Sequence, residues 1–241
     1  MQVLQGSLVA LVTPMLPNGD IDYSCLESLI DWHVNQGTNG IVSVGTTGES
    51  ATLNVQEHLE VMAFTIKHVN KRIPVIAGTG ANSTNEAIEL TSEAKKLGAD
   101  HVLLVTPYYN KPNQKGLISH YSAIADAVDI SQILYNVPSR TACDLLPSTV
   151  AVLANHNNIT GVKEAVDDET RVKELVAISK ESDNSFSIFS GDDPTFMNSL
   201  LLGAHGVISV SANKKMLALP LLYHKTTGPH IFLLNQQLQH F

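Results

Sequence analysis

The organisation of this chain is visible in the stretch Leu97-Gly98-Ala99-Asp100-His101-Val102-Leu103, which has two close counterparts. The counterparts are Gln36-Gly37-Thr38-Asn39-Gly40-Ile41-Val42 and Leu202-Gly203-Ala204-His205-Gly206-Val207-Ile208. Each stretch reads as a helix end, a glycine stop, a short turn and a buried strand. Recurrence of one helix-to-strand unit is what a closed parallel barrel produces.

Outward from these stretches, short runs rich in Val, Ile and Leu alternate with helical patterns at a period of roughly 30 residues, as in βαβ units. The runs lack strict polar alternation, which is typical of strands buried on both faces. The predicted strands are Ser7–Thr13, Gly40–Val44, Ile73–Gly78, His101–Thr106, Gln132–Asn136, Thr160–Lys163, Phe186–Ser190 and Gly206–Val210. The predicted helices are Cys25–Gln36, one opened by the capping box Asn54–Glu57, one from Ser83 to Gly98, Pro147–Asn155, Asp167–Ser182 and Asp193–Leu202.

We therefore expect the α/β class and a (β/α)8 TIM barrel. The alternative is an open doubly wound sheet, which usually has fewer strands and a glycine-rich first turn. The residues after the first strand, Thr13-Pro14-Met15-Leu16-Pro17, do not form such a turn.

Length and composition describe one soluble globular domain of 241 residues, 44% of them hydrophobic and 16% charged. The net charge of −8 and the lack of a basic stripe argue against nucleic-acid binding. No membrane span is expected, because charge, Gly and Pro interrupt every apolar run, and the first residues do not resemble a signal peptide. Cys25 and Cys143 are expected to be free thiols in a cytoplasmic protein. The ten histidines show no ligand spacing, so we expect no metal site.

The most informative side chain is that of Lys163, which ends the run Thr160–Lys163. Full burial lowers a lysine pKa by roughly 3–5 units, because a protein interior disfavours the charged form. A lysine that is partly neutral near pH 7 is a nucleophile toward carbonyl carbon, so imine chemistry is the leading hypothesis. The alternative is a structural lysine whose stem lines the strand while its ammonium reaches water or Glu164.

The carboxyl ends of the predicted strands, where active sites of such barrels lie, carry many polar side chains. They are Gly45-Thr46-Thr47-Gly48-Glu49-Ser50, Thr106-Pro107-Tyr108-Tyr109, Tyr135-Asn136-Val137-Pro138-Ser139-Arg140, Lys163-Glu164 and Ser190-Gly191-Asp192-Asp193. Each has an ordinary structural explanation when taken singly, since glycines serve turns, tyrosines pack and loop arginines are solvated. The glycine pairs match neither a P-loop nor a complete dinucleotide fingerprint, so no nucleotide cofactor is expected.

The combination is more specific than its parts. An imine-forming enzyme must bind a carboxylate and a carbonyl, expel water and move protons. Thr46 and Thr47 offer amides and hydroxyls that suit a carboxylate. Tyr135 lies on the strand next to that of Lys163, where its phenol can transfer protons, and Arg140 can grip a second carboxylate with two N–H groups.

At these residues the chain resembles the dihydrodipicolinate synthases, also called 4-hydroxy-tetrahydrodipicolinate synthases, of the pyruvate-dependent Schiff-base aldolase superfamily. The resemblance runs from about residue 6 to residue 213 and is specific, because it rests on several motifs together. The motifs are Gly6–Pro14, Val42–Leu53, Pro74–Asn82, Val105–Pro112, Ile133–Thr141, Gly161–Ala165 and Ser190–Asp193.

The resemblance implies a lyase that joins pyruvate to L-aspartate-4-semialdehyde, giving 4-hydroxy-tetrahydrodipicolinate on the route to diaminopimelate and lysine, without a cofactor. Lys163 would form the Schiff base with pyruvate. Tyr135, Thr46 and Tyr109 would form a proton relay, with Tyr109 reaching into the site of a neighbouring subunit.

The same resemblance implies the substrate contacts. Thr47 would hold the pyruvate carboxylate, and Arg140 would bind the carboxylate of the semialdehyde. Ile208, through its backbone, and Gly191 would line the pocket.

Many members of the family are tetramers inhibited by lysine between subunits, so the resemblance also implies a homo-oligomer, either a tetramer or a dimer. Val55 stands where sensitive members often carry histidine, so any inhibition is expected to be weak. The positions that match the inhibitory site are Ser50, Ala51, His58, Asn82, Glu86 and Tyr108.

The family continues past the end of this chain with further helices. We therefore expect residues 1–213 to form the barrel domain and residues 214–241 to be an irregular or helical remnant of a shortened C-terminal region. Within that tail, Pro220 would interrupt a continuous helix.

Two other functions are compatible with parts of the pattern. A related lyase or aldolase acting on sialic or sugar keto acids would share Lys163 and Tyr135, but is not expected to keep Arg140 in this context. A truncated, non-catalytic homologue is suggested only by the unusual tail.

Overall fold

A computed structural model of the chain describes residues 3–182 and 185–213. Eight parallel strands close into a barrel in chain order, with the first strand hydrogen-bonded to the last. The (β/α)8 prediction is therefore confirmed, and the open doubly wound sheet is wrong. The strands are β1 Gly6–Ala10, β2 Gly40–Ser43, β3 Val75–Gly78, β4 His101–Val105, β5 Ser131–Asn136, β6 Ile159–Glu164, β7 Ser187–Ser190 and β8 Gly206–Ser209.

Helices connect consecutive strands. They are α1 Tyr23–Asn35, α2 Val55–Val69, α3 Thr84–Leu97, α4 Gln114–Ala127, α5 Pro138–Thr141, α6 Pro147–Leu153, α7 Glu169–Glu181 and α8 Phe196–Leu202. The sequence analysis did not predict α4, whose first turn carries no acidic residue and contains Gly116. The Asn113 side chain caps it by accepting a hydrogen bond from the Gly116 N–H group at 2.9 Å, and Leu117, Tyr121 and Ile124 bury its inner face.

Several predicted elements extend beyond the observed ones, and two boundaries differ most, by three residues each. β1 ends at Ala10 rather than Thr13, and α8 begins at Phe196 rather than Asp193. The second difference has a clear cause, because Asp193 does not enter the helix. Its Oδ2 atom accepts hydrogen bonds from the N–H groups of Val210 and Ser211 at 3.0 and 2.8 Å, which fixes the β7 loop against the end of β8.

The strands are buried on both faces, as their composition predicted. One face packs against the helices in the larger hydrophobic core, and the other fills the barrel interior. The interior cluster consists of Leu8, Ala10, Val42, Ile76, Leu103, Ile133, Tyr135, Val137, Phe189 and Ile208. Successive residues of a strand point to opposite faces of the sheet. The residues next to each member of this cluster along its strand therefore point toward the helices.

The tail expected at residues 214–241 lies outside the described residues, so its predicted remnant character stays a prediction. Across residues 3–182 and 185–213, no helix combines the length and the apolar character needed to cross a bilayer.

The capping box predicted at Asn54 is present at the start of α2. The Asn54 side chain accepts from the Glu57 N–H group at 2.9 Å, and the Glu57 carboxylate accepts from the Asn54 N–H group at 3.0 Å. Asn54→Ala should lower the free energy of unfolding by about 1 kcal/mol, because the Glu57 N–H group loses its side-chain acceptor. Chemical denaturation measures this effect, with Asn54→Asp as the control that retains the acceptor. Equal loss in both variants would contradict a capping role.

Candidate active site

Lys163 and Tyr135 are direct neighbours across β5 and β6. Both point into the barrel interior near its carboxyl end, because Tyr135 belongs to the interior cluster and Lys163 is its register partner. The Lys163 side chain is only 4% exposed, and its Nζ atom lies 4.5 Å from the centroid of the Tyr135 ring. The structure therefore brings together the amine and the phenol that the sequence singled out.

Burial lowers the pKa of the Lys163 amine to about 8. The negative charge of Asp193 opposes this shift, and the positive charge of Arg140 adds to it. The structural alternative, a lysine whose ammonium reaches water or Glu164, is wrong, because the Lys163 side chain is buried away from both. The Glu164 carboxylate lies on the opposite face of β6, where it accepts hydrogen bonds from Asn136 and Arg171.

The Tyr135 phenol is buried, and burial raises its pKa. The positive charge of Arg140 and a side-chain hydrogen bond with Thr46 act in the opposite direction, since both stabilise the phenolate. Thr46 lies in the turn that follows β2, where its own side chain is exposed and the neighbouring Thr47 is half-buried. Two of the three predicted relay residues, Tyr135 and Thr46, are thus in contact within one chain.

Tyr109 behaves differently from its predicted relay partners. It is 91% exposed and projects from the loop after β4. Its φ of +69° lies in the left-handed region, as does the φ of +54° at Val44, next to the Thr46 turn. Non-glycine residues held in this region cost energy and often cluster at functional sites.

Gly191, directly after β7, lies against the Lys163 side chain, and Ile208 lies on β8. A Cβ atom at Gly191 would lie 2.9 Å from the Lys163 Cε atom, so only glycine leaves room for the lysine side chain. The Gly191 N–H group also donates to the Glu164 carbonyl at 2.7 Å, which ties the β7 loop to β6. Ile208 is fully buried in the barrel interior.

A cavity of about 400 Å³ opens at the same end of the barrel, although neither Lys163 nor Tyr135 lines it. Thr46 and Arg140 line it on one side, and Arg140 reaches it from the one-turn helix α5, where it is exposed. The cavity also contains five of the six residues predicted for the inhibitory site, together with Val55. The five are Ser50, Ala51, His58, Glu86 and Tyr108. The sixth, Asn82, lies beside them, with its Nδ2 atom 3.4 Å from the Tyr108 carbonyl oxygen.

Burial sets the protonation state of His58 in the far part of this cavity. His58 is buried and its Nε2 atom lies 2.8 Å from the Gly78 carbonyl oxygen. Burial lowers the His58 pKa, although the Gly78 carbonyl and the charge of Glu86 oppose the shift. A neutral imidazole therefore faces the cavity at neutral pH.

The sequence analysis gave no role to several polar residues that border the site. In the loop after β7, the charge of Asp193 raises the pKa of the Lys163 amine. Behind the site, hydrogen bonds and ion pairs connect Asn136, Asp144, Glu164 and Arg171. The alternation of β-strand side chains was the available signal, because it sends Glu164 away from the lysine. The partners of Glu164 come from distant parts of the chain and have no local signal.

One cluster outside the site has the composition of a metal site. Glu27, Asp31 and His68 place their ligating atoms within 4.8 Å of one another on α1 and α2. Arg72 already supplies the counter-charge there, since its Nη2 atom lies 2.7 Å from an Asp31 oxygen. The cluster is therefore explained as a surface ion-pair network.

Fold and site together define a class of protein, a (β/α)8 barrel with a buried lysine of lowered pKa near the carboxyl end of its strands. The sequence model of the dihydrodipicolinate synthetase family matches residues 3–228. The chain belongs to this family.

Curated relatives and solved structures agree with this membership. The 4-hydroxy-tetrahydrodipicolinate synthase of Pseudomonas savastanoi pv. phaseolicola is 59% identical over 211 residues, which are 88% of this chain and 71% of the relative. The synthase of Teredinibacter turnerae is 57% identical over 209 residues, or 87% of this chain and 71% of the relative.

Among solved structures, the chloride-inhibited dihydrodipicolinate synthase of Acinetobacter baumannii, complexed with pyruvate, superimposes with a TM-score of 0.88 at 53% identity. The match covers 93% of this chain and 76% of that one. The synthase of Methylacidiphilum fumariolicum SolV gives a TM-score of 0.92 at 45% identity, covering 98% and 77%.

The lowered pKa of Lys163 predicts how its reactivity depends on pH. Burial lowers the folded-state pKa from 10.5 to about 8, so the neutral amine is abundant above pH 8 and is lost as the pH falls below it. The rate of imine formation with pyruvate should rise about tenfold per pH unit below pH 8 and level off above it. Initial rates of reductive trapping with cyanoborohydride measure this. Reductive labelling of the exposed Lys173 is the control, and a trapping rate at Lys163 that still climbs through pH 10 would contradict the prediction.

Proposed function

We propose that this chain is a lyase that condenses pyruvate with L-aspartate-4-semialdehyde to give 4-hydroxy-tetrahydrodipicolinate, on the route to diaminopimelate and lysine. The observation that carries the proposal is the buried amine of Lys163, with its lowered pKa, beside the phenol of Tyr135. The curated relatives named 4-hydroxy-tetrahydrodipicolinate synthase, at 57–59% identity, support this activity over sugar-acid cleavage.

In the proposed reaction, the neutral amine of Lys163 attacks the C2 carbonyl carbon of pyruvate, and the carbinolamine loses water to give an imine. Loss of a methyl proton converts the imine to an enamine, whose terminal carbon bonds to the aldehyde carbon of the second substrate. The amino group of that substrate then replaces the lysine at C2, which closes the ring and restores the free amine. Overall, one water molecule is released.

Each of these steps adds or removes a proton at oxygen, nitrogen or carbon. Tyr135 is proposed to carry these protons, with Thr46 as its hydrogen-bonded partner. Removal of the amine from water keeps Lys163 partly neutral, since at pH 7 a pKa of about 8 leaves about one amine in ten unprotonated. A solvent-exposed lysine would be several hundredfold less available, by the same relation.

The substrate carboxylates are assigned to different groups in this proposal. Thr47, half-buried in the turn after β2, holds the pyruvate carboxylate with its amide and hydroxyl. Arg140 binds the carboxylate of the semialdehyde from the cavity wall. Gly191 and Ile208 shape the pocket around the amine, and the space above Gly191 is what admits the lysine side chain.

We also propose that the enzyme is a cytoplasmic homo-oligomer, a dimer or a tetramer, in which Tyr109 completes the relay of a second copy. The 91% exposure of this tyrosine supports that role, because a side chain so placed is available to a partner. The cavity containing His58 and Glu86 is proposed to bind lysine weakly, since Val55, rather than a histidine, lies on its wall.

Lys163→Ala should abolish the pyruvate adduct and nearly all turnover, because the amine that forms the imine is removed. Mass spectrometry after borohydride trapping and a coupled assay of product formation measure the two effects. Lys173→Ala, on the exposed side of α7, is the matched control and should retain both. Persistence of adduct or turnover in Lys163→Ala would remove the proposed mechanism, and the complete absence of an adduct in the unmodified protein would favour a non-catalytic homologue.

Arg140→Ala should leave the extent of pyruvate trapping nearly unchanged while raising KM for the semialdehyde about tenfold to a hundredfold, because a charge-assisted contact to its carboxylate is lost. Steady-state kinetics with each substrate varied in turn measure the difference. Arg140→Lys keeps the positive charge but not the two-pronged geometry, so its KM for the semialdehyde should lie between those of the unmodified protein and Arg140→Ala. Equal loss of pyruvate trapping and semialdehyde use would contradict the assigned role.

A further inference from the structure

A polar pair lies directly behind the reactive pair. Asn136 and Glu164 are register partners on β5 and β6, one position after Tyr135 and Lys163, so they point from the opposite face of the sheet toward the helices. The Asn136 Nδ2 atom donates to both oxygens of the Glu164 carboxylate, at 3.1 and 3.0 Å. Glu164 is only 4% exposed and Asn136 is fully buried.

The pairing of these two strands is irregular at its start. Gln132 pairs with Ile159, but the next residue of β5, Ile133, pairs with Gly161, so β6 carries an extra residue at Thr160. A shift of one residue in a strand turns every later side chain to the other face. The register beyond this bulge therefore decides whether Lys163 points into the barrel or toward the helices.

Arg171 and Asp144 extend the pair into an ionic network. The Arg171 Nη2 atom lies 2.6 Å from one Asp144 oxygen, and its Nη1 atom lies 3.0 Å from the other and 3.3 Å from a Glu164 oxygen. Glu164 also accepts from the Val166 N–H group at 2.8 Å. Burial raises the pKa of Glu164, and the contacts with Asn136, Val166 and Arg171 oppose that shift, so the carboxylate depends on these partners for its charge.

The same network closes the segment that carries Arg140. Asn136 marks the start of this segment, and its Oδ1 atom accepts from the Leu145 N–H group at 2.9 Å. Its Nδ2 atom donates to Asp144 at 2.9 Å, so residues 137–143 form a loop whose two ends are tied to each other. Arg140 lies in the middle of that loop, in α5.

We propose that Asn136, Asp144, Glu164 and Arg171 are positioning residues for the reaction. They fix the β5–β6 register that turns Lys163 into the barrel, and they hold the loop that presents Arg140 to the second substrate. The inference rests on the proposed function, because it concerns the same amine and the same arginine. None of the four touches substrate directly, since all act from behind the sheet or from the base of the loop.

Stability alone is a weaker explanation for this network. A buried ion pair is often no more stabilising than apolar side chains of similar volume, because the removal of its charges from water is unfavourable. The network spans four segments of chain, the ends of β5 and β6, the stretch between α5 and α6 and the first turn of α7, and two of these carry the proposed reactive groups. The network connects the segments that carry Lys163 and Arg140, so it can hold these two residues at a fixed separation.

The test compares Arg171→Met with Arg72→Met. Both arginines pair with an aspartate, at 2.6 and 2.7 Å, but Arg72 lies in the surface network on α1 and α2. Arg171→Met should raise KM for the semialdehyde about tenfold or more, with a smaller effect on pyruvate trapping, because small displacements of a binding group are costly in rate. Arg72→Met should change neither KM for the semialdehyde nor pyruvate trapping by more than about twofold, because surface ion pairs contribute little free energy.

Thermal unfolding of both variants, with Arg171→Lys added, separates positioning from folding. Arg171→Lys retains the positive charge but not the planar guanidinium that contacts two carboxylates, so it should fold and still show the raised KM for the semialdehyde. The inference is overturned if folded Arg171 variants match Arg72→Met in both substrate parameters. Failure of the proposed function is distinguishable, because the unmodified protein would then form no pyruvate adduct.

Discussion

The removal of one amine from water is the constraint on which the rest of this structure depends. Lys163 is 4% exposed inside the barrel, where burial lowers its pKa to about 8. An unpaired cation would be costly at this position, so the environment favours the neutral, nucleophilic form. The nearby charges modulate this effect in opposite directions, Asp193 by stabilising the ammonium and Arg140 by opposing it. Desolvation is the larger influence, so the reactivity of Lys163 follows from the closure of the barrel.

The parallel barrel concentrates the remaining chemistry at one end. Each strand delivers its carboxyl end to the same rim, so the Thr46 turn, Tyr135, Arg140 and the Gly191 loop meet although they are far apart in the chain. Behind this rim, Glu164 of β6 accepts hydrogen bonds from Asn136 of β5 and Arg171 of α7, the contacts proposed to hold Lys163 in register. The rim borders a cavity whose far side holds the residues proposed for inhibition.

Much of the fold was predictable because its signals are local. The helix–glycine–strand repeat specified alternating elements, and all eight strands lie within a few residues of their predicted positions. Boundaries failed where distant contacts decide them, as at Asp193, whose carboxylate accepts N–H groups from the end of β8 and so stays out of α8. The helix α4 was missed because the third residue after its capping residue Asn113 is a glycine, Gly116, rather than an acidic residue.

The sequence by itself determined the repeat, the strand ends and the candidate amine, because each depends on residues close together in the chain. Only the tertiary structure decided which face of β6 carries Lys163 and which carries Glu164, since that depends on the register across the bulge near Thr160. It also paired Asn136, Asp144 and Arg171 around Glu164. Burial and strand register are properties of the closed barrel, and no short stretch of sequence encodes them.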